Sequence, residues 1–280
     1  MSWFIGSQRE YLKLLKRARF IPIRFLSNNS IKEVIARITK DDRVELEGIV
    51  LPPPIDKDAV VLYLHVISDS LLPFLVSDVD EVLYYALMDI TPEGPYEYKA
   101  VKLEKGDIVI DAGANIGEFS ALAGVKGCLA YAFEPMPHVI DAYLSKTAEW
   151  NPNIIICEYA LSDKSGELVF GEDLLHLGGS SSVFAQKGQN EIKVQAIDLD
   201  TFVQENNLPR VDFIKADIEG AERYMLMGAK RVLKEFAPKI AICTYHLPDD
   251  PKVLRELILD ANPNYVIEER WLKMFAHVPK

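Results

Sequence analysis

The spacing of hydrophobic positions along this chain changes character near residue 100. From Lys105 onward, short apolar runs alternate with segments of helical length. The predicted strands are 107–111, 129–134, 154–160, 211–217 and 239–245, and the predicted helices are 117–125, 137–150, 221–235 and 251–261. Two final runs, 265–270 and 272–278, are close enough to pair as a hairpin. Nearly continuous apolar strands with helices between them predict a parallel sheet that is covered on both faces.

The first hundred residues lack this alternation. Segments 11–15, 31–38 and 79–88 have helical spacing, 59–67 has a strand-like pattern, and Pro52–Pro54 form a rigid break. We therefore expect two parts. Residues 1–94 form a smaller N-terminal region that helps to cover a substrate pocket. Residues 95–280 form a doubly wound α/β domain with a mostly parallel sheet of seven strands, the last of which is antiparallel.

Charge is distributed unevenly in this chain. The formal net charge of −11 argues against a nucleic-acid partner, because phosphate binding needs a basic surface. Residues 1–40 hold nine lysines and arginines against two glutamates, so that this segment carries +7 and residues 41–280 carry −18. Two interpretations of the basic segment 9–24 stay open: peripheral contact with an anionic membrane, or an ordinary solvated helix face.

The three cysteines, Cys128, Cys157 and Cys243, lie in apolar stretches without metal-binding or redox spacing. They indicate small buried side chains in a reducing compartment. Basic residues interrupt the early apolar run that a signal peptide would need. The expected location is therefore the cytoplasm.

Polar side chains end four of the five predicted strands, where ligands bind to sheets of this type. The first strand ends at Asp111 and continues into a turn that contains Gly113 and Gly117. Such a turn lets a ligand approach the backbone and the start of the next helix. Glu134 ends the next strand, where a carboxylate can accept hydrogen bonds from both hydroxyls of a ribose. These features indicate a cofactor that contains adenosine.

Two details favour a methyl donor over a dinucleotide. Gly113 and Gly117 have G-x-x-x-G spacing, whereas a pyrophosphate prefers the tighter G-x-G-x-x-G turn. Asp111 would repel a diphosphate but would attract the sulfonium and ammonium groups of S-adenosylmethionine. S-adenosylmethionine is therefore the expected cofactor.

Residues 93–246 resemble the FkbM-type methyltransferases. The matching segments are EGPYE (93–97), VIDAGANIG (109–117), FEP (133–135), ALSD (160–163), GSSS (179–182), DLD (198–200) and DFIKADIEGAE (212–222). The resemblance implies a Rossmann-like methyltransferase fold and S-adenosylmethionine-dependent O-methylation, often of sugars or glycosylated products. Position and resemblance together give the cofactor-site candidates Glu97, Asp111, Gly113, Asn115, Gly117, Phe119, Glu134, Pro135, Leu161, Ser162 and Asp217.

The catalytic candidates are Lys215, Asp217, Glu219 and His246. Lys215 and Asp217 alternate along a strand and so share one face, and Glu219 lies in the following turn. His246 follows the adjacent strand, and an unperturbed histidine pKa of ~6.5 suits removal of a proton from a hydroxyl. Alternatively, Asp217, Glu219 and His246 hold a divalent ion, an interpretation that the pattern does not favour.

The expected activity is methyl transfer to a hydroxyl of a sugar, a glycolipid or another small molecule. Two alternatives stay open at this point. One is methylation of a nitrogen or a carboxylate on another small molecule or a protein, and the other is a non-catalytic module that binds the cofactor.

Overall fold

The computed structural model describes residues 39–40, 43–46, 48–52, 95–172 and 190–279. The chain divides into two compact units, Met1–Pro95 and Tyr96–Lys280. In the first unit, the described residues include a small antiparallel sheet of β1 (Thr39–Lys40), β2 (Arg43–Leu46) and β3 (Ile49–Leu51), which the sequence pattern did not predict. The basic segment 9–24, the predicted elements at 11–15, 31–38, 59–67 and 79–88, and the loop 179–182 lie outside the described residues.

The second unit is built on a seven-stranded sheet. The strands of this unit, in chain order, are β4 (Ile108–Ala112), β5 (Leu129–Phe133), β6 (Ile154–Cys157), β7 (Ala160–Leu161), β8 (Gly166–Glu172), β9 (Asn190–Ile197), β10 (Phe213–Ala216), β11 (Lys239–Cys243), β12 (Val266–Arg270) and β13 (Lys273–His277). The main sheet has the order β12-β13-β11-β10-β4-β5-β6. Strands β4, β5, β6, β10 and β11 are parallel, and β13 is antiparallel to both of its neighbours. The predicted doubly wound α/β fold and the antiparallel last strand are confirmed.

Helices cover this sheet. They are α1 (Glu118–Val125), α2 (Pro137–Val139), a π-helical segment (Ile140–Leu144), α3 (Ser145–Trp150), α4 (Leu199–Glu205), α5 (Glu222–Met227), α6 (Lys230–Glu235) and α7 (Asp250–Ala261). The central strands are fully buried, as Val109, Ile110 and Ile240 show, which explains why they are apolar on both faces. No helix of the described residues is long and apolar enough to cross a bilayer.

Two predicted elements differ from the structure, and one helix was not predicted. The predicted strand 154–160 ends at Cys157, and Ala160 begins β7, which belongs to a separate three-stranded sheet of order β7-β9-β8. The predicted helix 221–235 is interrupted at Gly228 and Ala229. A Cβ on Gly228 would lie 2.1 Å from the carbonyl oxygen of Ser162, so a glycine is needed there. Helix α4 was not predicted, and its cap is the Asp198 side chain, which accepts from Thr201 N–H at 2.8 Å.

Candidate functional site

The turn between β4 and α1 packs directly against the end of β10. Gly113, Asn115 and Gly117 all have left-handed backbone conformations, with φ of 73°, 51° and 87°. A Cβ on Gly113 would lie 2.0 Å from the carbonyl oxygen of Asp217. A Cβ on Gly117 would lie 2.7 Å from the side chain of Leu144. The glycines therefore allow close approach within the protein as well as the positive φ angles.

We expect Gly113→Ala to destabilise the fold by about 2–4 kcal/mol, which combines left-handed strain with overpacking against the chain at Asp217. Gly106→Ala is a matched control, because Gly106 has φ 89° but nothing lies within 4 Å of an added Cβ. The control should lose only about 1–2 kcal/mol. Urea unfolding of both variants measures the difference, and equal losses would show that the contact with Asp217 relaxes.

Glu134 follows β5 and is bonded to the glycine-rich turn. Its Oε2 accepts from Asn115 N–H at 3.0 Å, and its Oε1 accepts from Met136 N–H at 3.0 Å. Burial raises the pKa of Glu134 to about 7, against the lowering effect of these two backbone bonds. Each oxygen keeps a second lone pair for a ligand. The geometry is compatible with the predicted contact to a ribose.

Asp111 and Lys215 form a buried pair beneath the turn. Asp111 is fully buried, with Oδ2 accepting from Ser120 Oγ–H at 2.7 Å and Oδ1 lying 3.1 Å from Lys215 Nζ. Lys215 Nζ also donates to the carbonyl oxygens of Gly113 (2.6 Å) and Ala112 (3.3 Å). Burial lowers the pKa of Lys215, but the charges of Asp111 and nearby carboxylates outweigh it and raise the pKa above its ordinary value. Lys215 thus neutralises Asp111 and ties β10 to the turn.

A carboxylate cluster surrounds His246, whose side chain is 4% exposed, at the ends of β10 and β11. His246 Nδ1 lies 3.0 Å from Glu222 Oε1, which also accepts from Ile218 N–H at 2.8 Å. His246 Nε2 lies 3.5 Å from Asp217 Oδ1 and 3.7 Å from Glu219 Oε2. Glu222 is fully buried, whereas Asp217 and Glu219 are partly exposed. The predicted neighbours Asp217, Glu219 and His246 are therefore brought together.

The pKa of His246 in this cluster differs from the unperturbed value that the sequence analysis expected. Burial lowers the pKa of His246, but Glu222, Asp217 and Glu219 outweigh it and raise the pKa to about 9. Burial raises the pKa of Asp217, but His246, Lys215 and Lys273 outweigh it and hold the pKa below its ordinary value. The assumed histidine pKa of ~6.5 is wrong for this site, because the carboxylates stabilise the imidazolium.

Sequence reasoning missed three side chains at this cluster. Glu222 Oε1 lies 3.0 Å from His246 Nδ1. Glu222 belongs to the matching segment 212–222, but it was not singled out as a site residue. Tyr96 donates its hydroxyl hydrogen to Asp217 Oδ2 at 2.7 Å, and Lys273 Nζ lies 4.3 Å from the Tyr96 ring centroid. Tyr96 stands in the matching segment 93–97, which was the only signal for it.

Four further predicted cofactor residues have partners in the protein. Glu97 forms an ion pair with Lys126, at the end of α1 opposite to the glycine-rich turn, so the structure does not bring its carboxylate to that turn. The Phe119 ring is fully buried and packs edge-on to Tyr96. Leu161 is buried in the main core. Ser162 Oγ lies 3.2 Å from Asp163 Oδ1. A cofactor role for these residues stays a prediction.

The cluster also has the donor set of a divalent-metal site. Asp217, Glu222 and His246 each offer one ligand atom, and these atoms lie within 4.8 Å of one another. Glu222 thus takes the place of Glu219 in the trio that the sequence suggested. Lys215 and Lys273 add positive charge at Asp217, which weakens its attraction for a doubly charged ion. A proton on His246 offsets the charge of the same carboxylates without a metal ion.

A seven-stranded sheet with an antiparallel last strand, a glycine-rich turn after β4 and a carboxylate after β5 define the class of Rossmann-like methyltransferases. Residues 111–267 match the methyltransferase FkbM domain. This match covers more than half of the chain, which therefore belongs to the FkbM family of methyltransferases.

Two curated relatives and one solved structure illustrate the likeness. Hexuronic acid methyltransferase AglP of Haloferax volcanii is 27% identical over 56% of this chain and 64% of that protein. The 31-O-demethyl-FK506 methyltransferase FkbM of Streptomyces tacrolimicus is 24% identical over 48% of this chain and 64% of that protein. The match spans less than two thirds of either relative's length. The crystal structure of the methyltransferase FkbM from Methylobacillus flagellatus KT has a similar fold, with a TM-score of 0.50, 23% identity, and coverage of 80% of this chain and 61% of that one.

Proposed function

We propose that this chain is an S-adenosylmethionine-dependent O-methyltransferase that acts on a hydroxyl group of a sugar, a glycolipid or another small molecule. The observation that carries the proposal is the Glu222–His246–Asp217 cluster at the carboxyl ends of β10 and β11. A hydroxyl must lose its proton when it is methylated, and a histidine held between carboxylates is suited to receive that proton.

The residues around the turn fit the cofactor. Asn115 Oδ1 is buried without a hydrogen-bond partner among the described residues, which leaves an acceptor for a ligand. Glu134 Oε2, which accepts from Asn115 N–H, would also accept from a ribose hydroxyl, and the partly exposed Asp217 carboxylate would stabilise a cationic group. When bound, S-adenosylmethionine supplies an electrophilic methyl group attached to a sulfonium.

His246 and its neighbours would accept the proton that the acceptor hydroxyl loses. Neutral His246 Nε2 receives the hydroxyl proton, and Glu222 at Nδ1 holds the ring and stabilises the imidazolium that forms. Tyr96 orients Asp217 through its hydrogen bond to Oδ2, which leaves Asp217 Oδ1 facing His246. A positive charge beside Asp217 would lower the pKa of His246, so that bound cofactor favours the neutral base.

Methylation of a carboxylate is a second candidate. A pKa of about 9 leaves His246 cationic at neutral pH, and a cationic imidazole would pair with a carboxylate acceptor. The curated relative that acts on a hexuronic acid supports this candidate equally, since such a sugar carries both a carboxylate and hydroxyls. A carboxylate acceptor is already ionised and needs no base, so it would leave the His246 cluster without a role in proton removal. We therefore favour the hydroxyl.

The function is tested by incubating the chain with methyl-labelled S-adenosylmethionine and a panel of hexoses, hexuronic acids and their glycosides. Label that survives mild alkaline hydrolysis is a methyl ether and supports O-methylation of a hydroxyl. Label released by mild base is a methyl ester and supports the second candidate. Cofactor binding without transfer to any member of a broad panel would favour a non-catalytic module.

We expect Glu134→Ala to weaken S-adenosylmethionine binding by about 1–3 kcal/mol, because a charge-assisted bond to the ribose is lost. Calorimetric titration measures the dissociation constant. Glu149→Ala, at an exposed position on α3, is the control and should bind as the unaltered chain does. A folded Glu134→Ala chain with an unchanged dissociation constant would remove Glu134 from the cofactor site.

A further inference from the structure

Glu118, the first residue of α1, is a buried carboxylate that neither the sequence analysis nor the proposed mechanism uses. The residue is 6% exposed, and among the described residues its Oε2 has no hydrogen-bond partner. It directly follows Gly117, the last residue of the glycine-rich turn. An ionised carboxylate in such a place is unfavourable unless something cationic or hydrogen-bonding offsets it.

The nearby protein cation cannot provide this bond. Glu118 interacts electrostatically with Lys215, Asp111 and Asp217. Lys215 Nζ has three N–H groups, and three acceptors already lie within 3.3 Å of it: the carbonyl oxygens of Ala112 and Gly113, and Asp111 Oδ1. Lys215 therefore lowers the electrostatic penalty at Glu118 without a hydrogen left to donate to it.

The charges around Glu118 favour a cationic ligand. Asp111 Oδ1 lies 3.1 Å from Lys215 Nζ, and Asp217 has His246 and Tyr96 as partners. Among the described residues, Glu118 Oε2 has no hydrogen-bond donor. Burial raises the pKa of Glu118 to about 7, because desolvation outweighs the opposing charge of Lys215. An entering ammonium would supply both the charge and the N–H donors.

We propose that Glu118 binds the α-ammonium group at the methionine end of the cofactor, beside the glycine-rich turn. The inference rests on the proposed function, because it assigns a residue to the cofactor site. The start of α1 offers backbone N–H groups to an anion, so a zwitterion would be held by its carboxylate at the helix and by its ammonium at Glu118. Glu118 is then a selectivity residue for ligands that carry the amine.

The test compares three probes by calorimetry: S-adenosylhomocysteine, its analogue with a hydroxyl in place of the amine, and 5′-methylthioadenosine, which lacks the amino-acid end. Glu118→Gln keeps the shape of the side chain and removes its charge. We expect it to weaken S-adenosylhomocysteine binding by roughly tenfold to a hundredfold, and the other two probes by less than about twofold. Glu149→Gln, on the exposed face of α3, should change none of them.

Thermal unfolding of the unliganded chain separates this role from a structural one. A folded-state pKa of about 7, above the ordinary glutamate value, means that ionised Glu118 lowers stability increasingly as pH rises toward and through 7. Glu118→Gln should therefore unfold at the same or a higher temperature at pH 8. A lower unfolding temperature together with equal losses for all three probes would overturn the proposal.

Failure of the subsite and failure of the proposed function give different results. If the unaltered chain does not bind S-adenosylhomocysteine, the proposed function and the subsite both fail. If the unaltered chain binds it and Glu118→Gln binds it equally well, the cofactor assignment stands and only the Glu118 subsite is overturned.

Discussion

Replacing His246 by alanine should lower turnover by roughly 10²–10⁴-fold, the usual contribution of a general base, with little change in cofactor affinity. In the unaltered chain, kcat/KM should rise with pH through an ionisation near 9, because Glu222, Asp217 and Glu219 raise the pKa of His246. The ionisation seen in kcat should lie lower, since bound cofactor adds positive charge beside Asp217. The pH dependence is measured with labelled methyl transfer at limiting and at saturating S-adenosylmethionine, and this step should vanish in His246→Ala.

Glu222→Gln separates a positioning role from a general loss of structure. Glutamine keeps a group at His246 Nδ1 but removes the buried charge that raises its pKa. The acid limb of the kcat/KM profile should therefore move down from about 9 toward the ordinary histidine value of ~6.5. A folded Glu222→Gln chain with an unmoved profile would show that Glu222 does not act through His246.

The same assays decide between proton removal by His246 and a metal. If Asp217, Glu222 and His246 hold a divalent ion, a chelator should abolish activity, and Mg²⁺ or Mn²⁺ should restore it. If His246 removes the proton, activity should be the same with and without a chelator. A His246→Ala chain that is folded, insensitive to chelator and fully active would exclude both roles, and Asp217 or Glu219 would become the next candidate base.

Lys215→Met should destabilise the fold by about 3–5 kcal/mol, the effect of removing one partner from a buried ion pair. The substitution leaves Asp111 fully buried without its cation, and two carbonyl oxygens at the end of β4 lose their shared donor. Methionine has a similar volume, so the loss reports on charge and hydrogen bonding and less on packing. Chemical unfolding in urea measures the free energy of unfolding.

The double variant Lys215→Met with Asp111→Asn is the control for this prediction. It removes the uncompensated charge, while the amide oxygen of the new asparagine can still accept from Ser120, so a large part of the lost stability should return. If the single variant loses less than about 1 kcal/mol, Asp111 is not held in a desolvated pair of the kind that usually shows a larger loss.

The strand pattern alone placed the site at one edge of the sheet. Parallel strands expose their carboxyl ends on the same side, so residues that end apolar runs converge regardless of their distance along the chain. By this rule, Gly113 and Glu134, which follow β4 and β5, lie at the same edge as Asp217 and His246, which follow β10 and β11. Such placement depends on which segments are parallel strands, and hydrophobic periodicity identifies those strands and the helices between them.

The same pattern did not reveal the partners of Asp111 within the protein. Asp111 was expected to attract the cofactor, but it is fully buried and paired with Lys215 and Ser120. Alternation along β10 showed only that Lys215 shares a face with Asp217. Register between β4 and β10 puts Lys215 opposite Asp111, and this register is a property of the assembled sheet.

What the sequence determined by itself is the class of fold, the edge of the sheet that holds the site and the identity of the residues that end its strands. Only the tertiary structure decided the ionisation of those residues and their partners. Tyr96 reaches Asp217 across 121 positions of the chain, and Glu222, on helix α5, contacts His246, which follows β11. The pKa of a buried group depends on the charges and desolvation that such distant elements impose, and no local pattern contains either quantity.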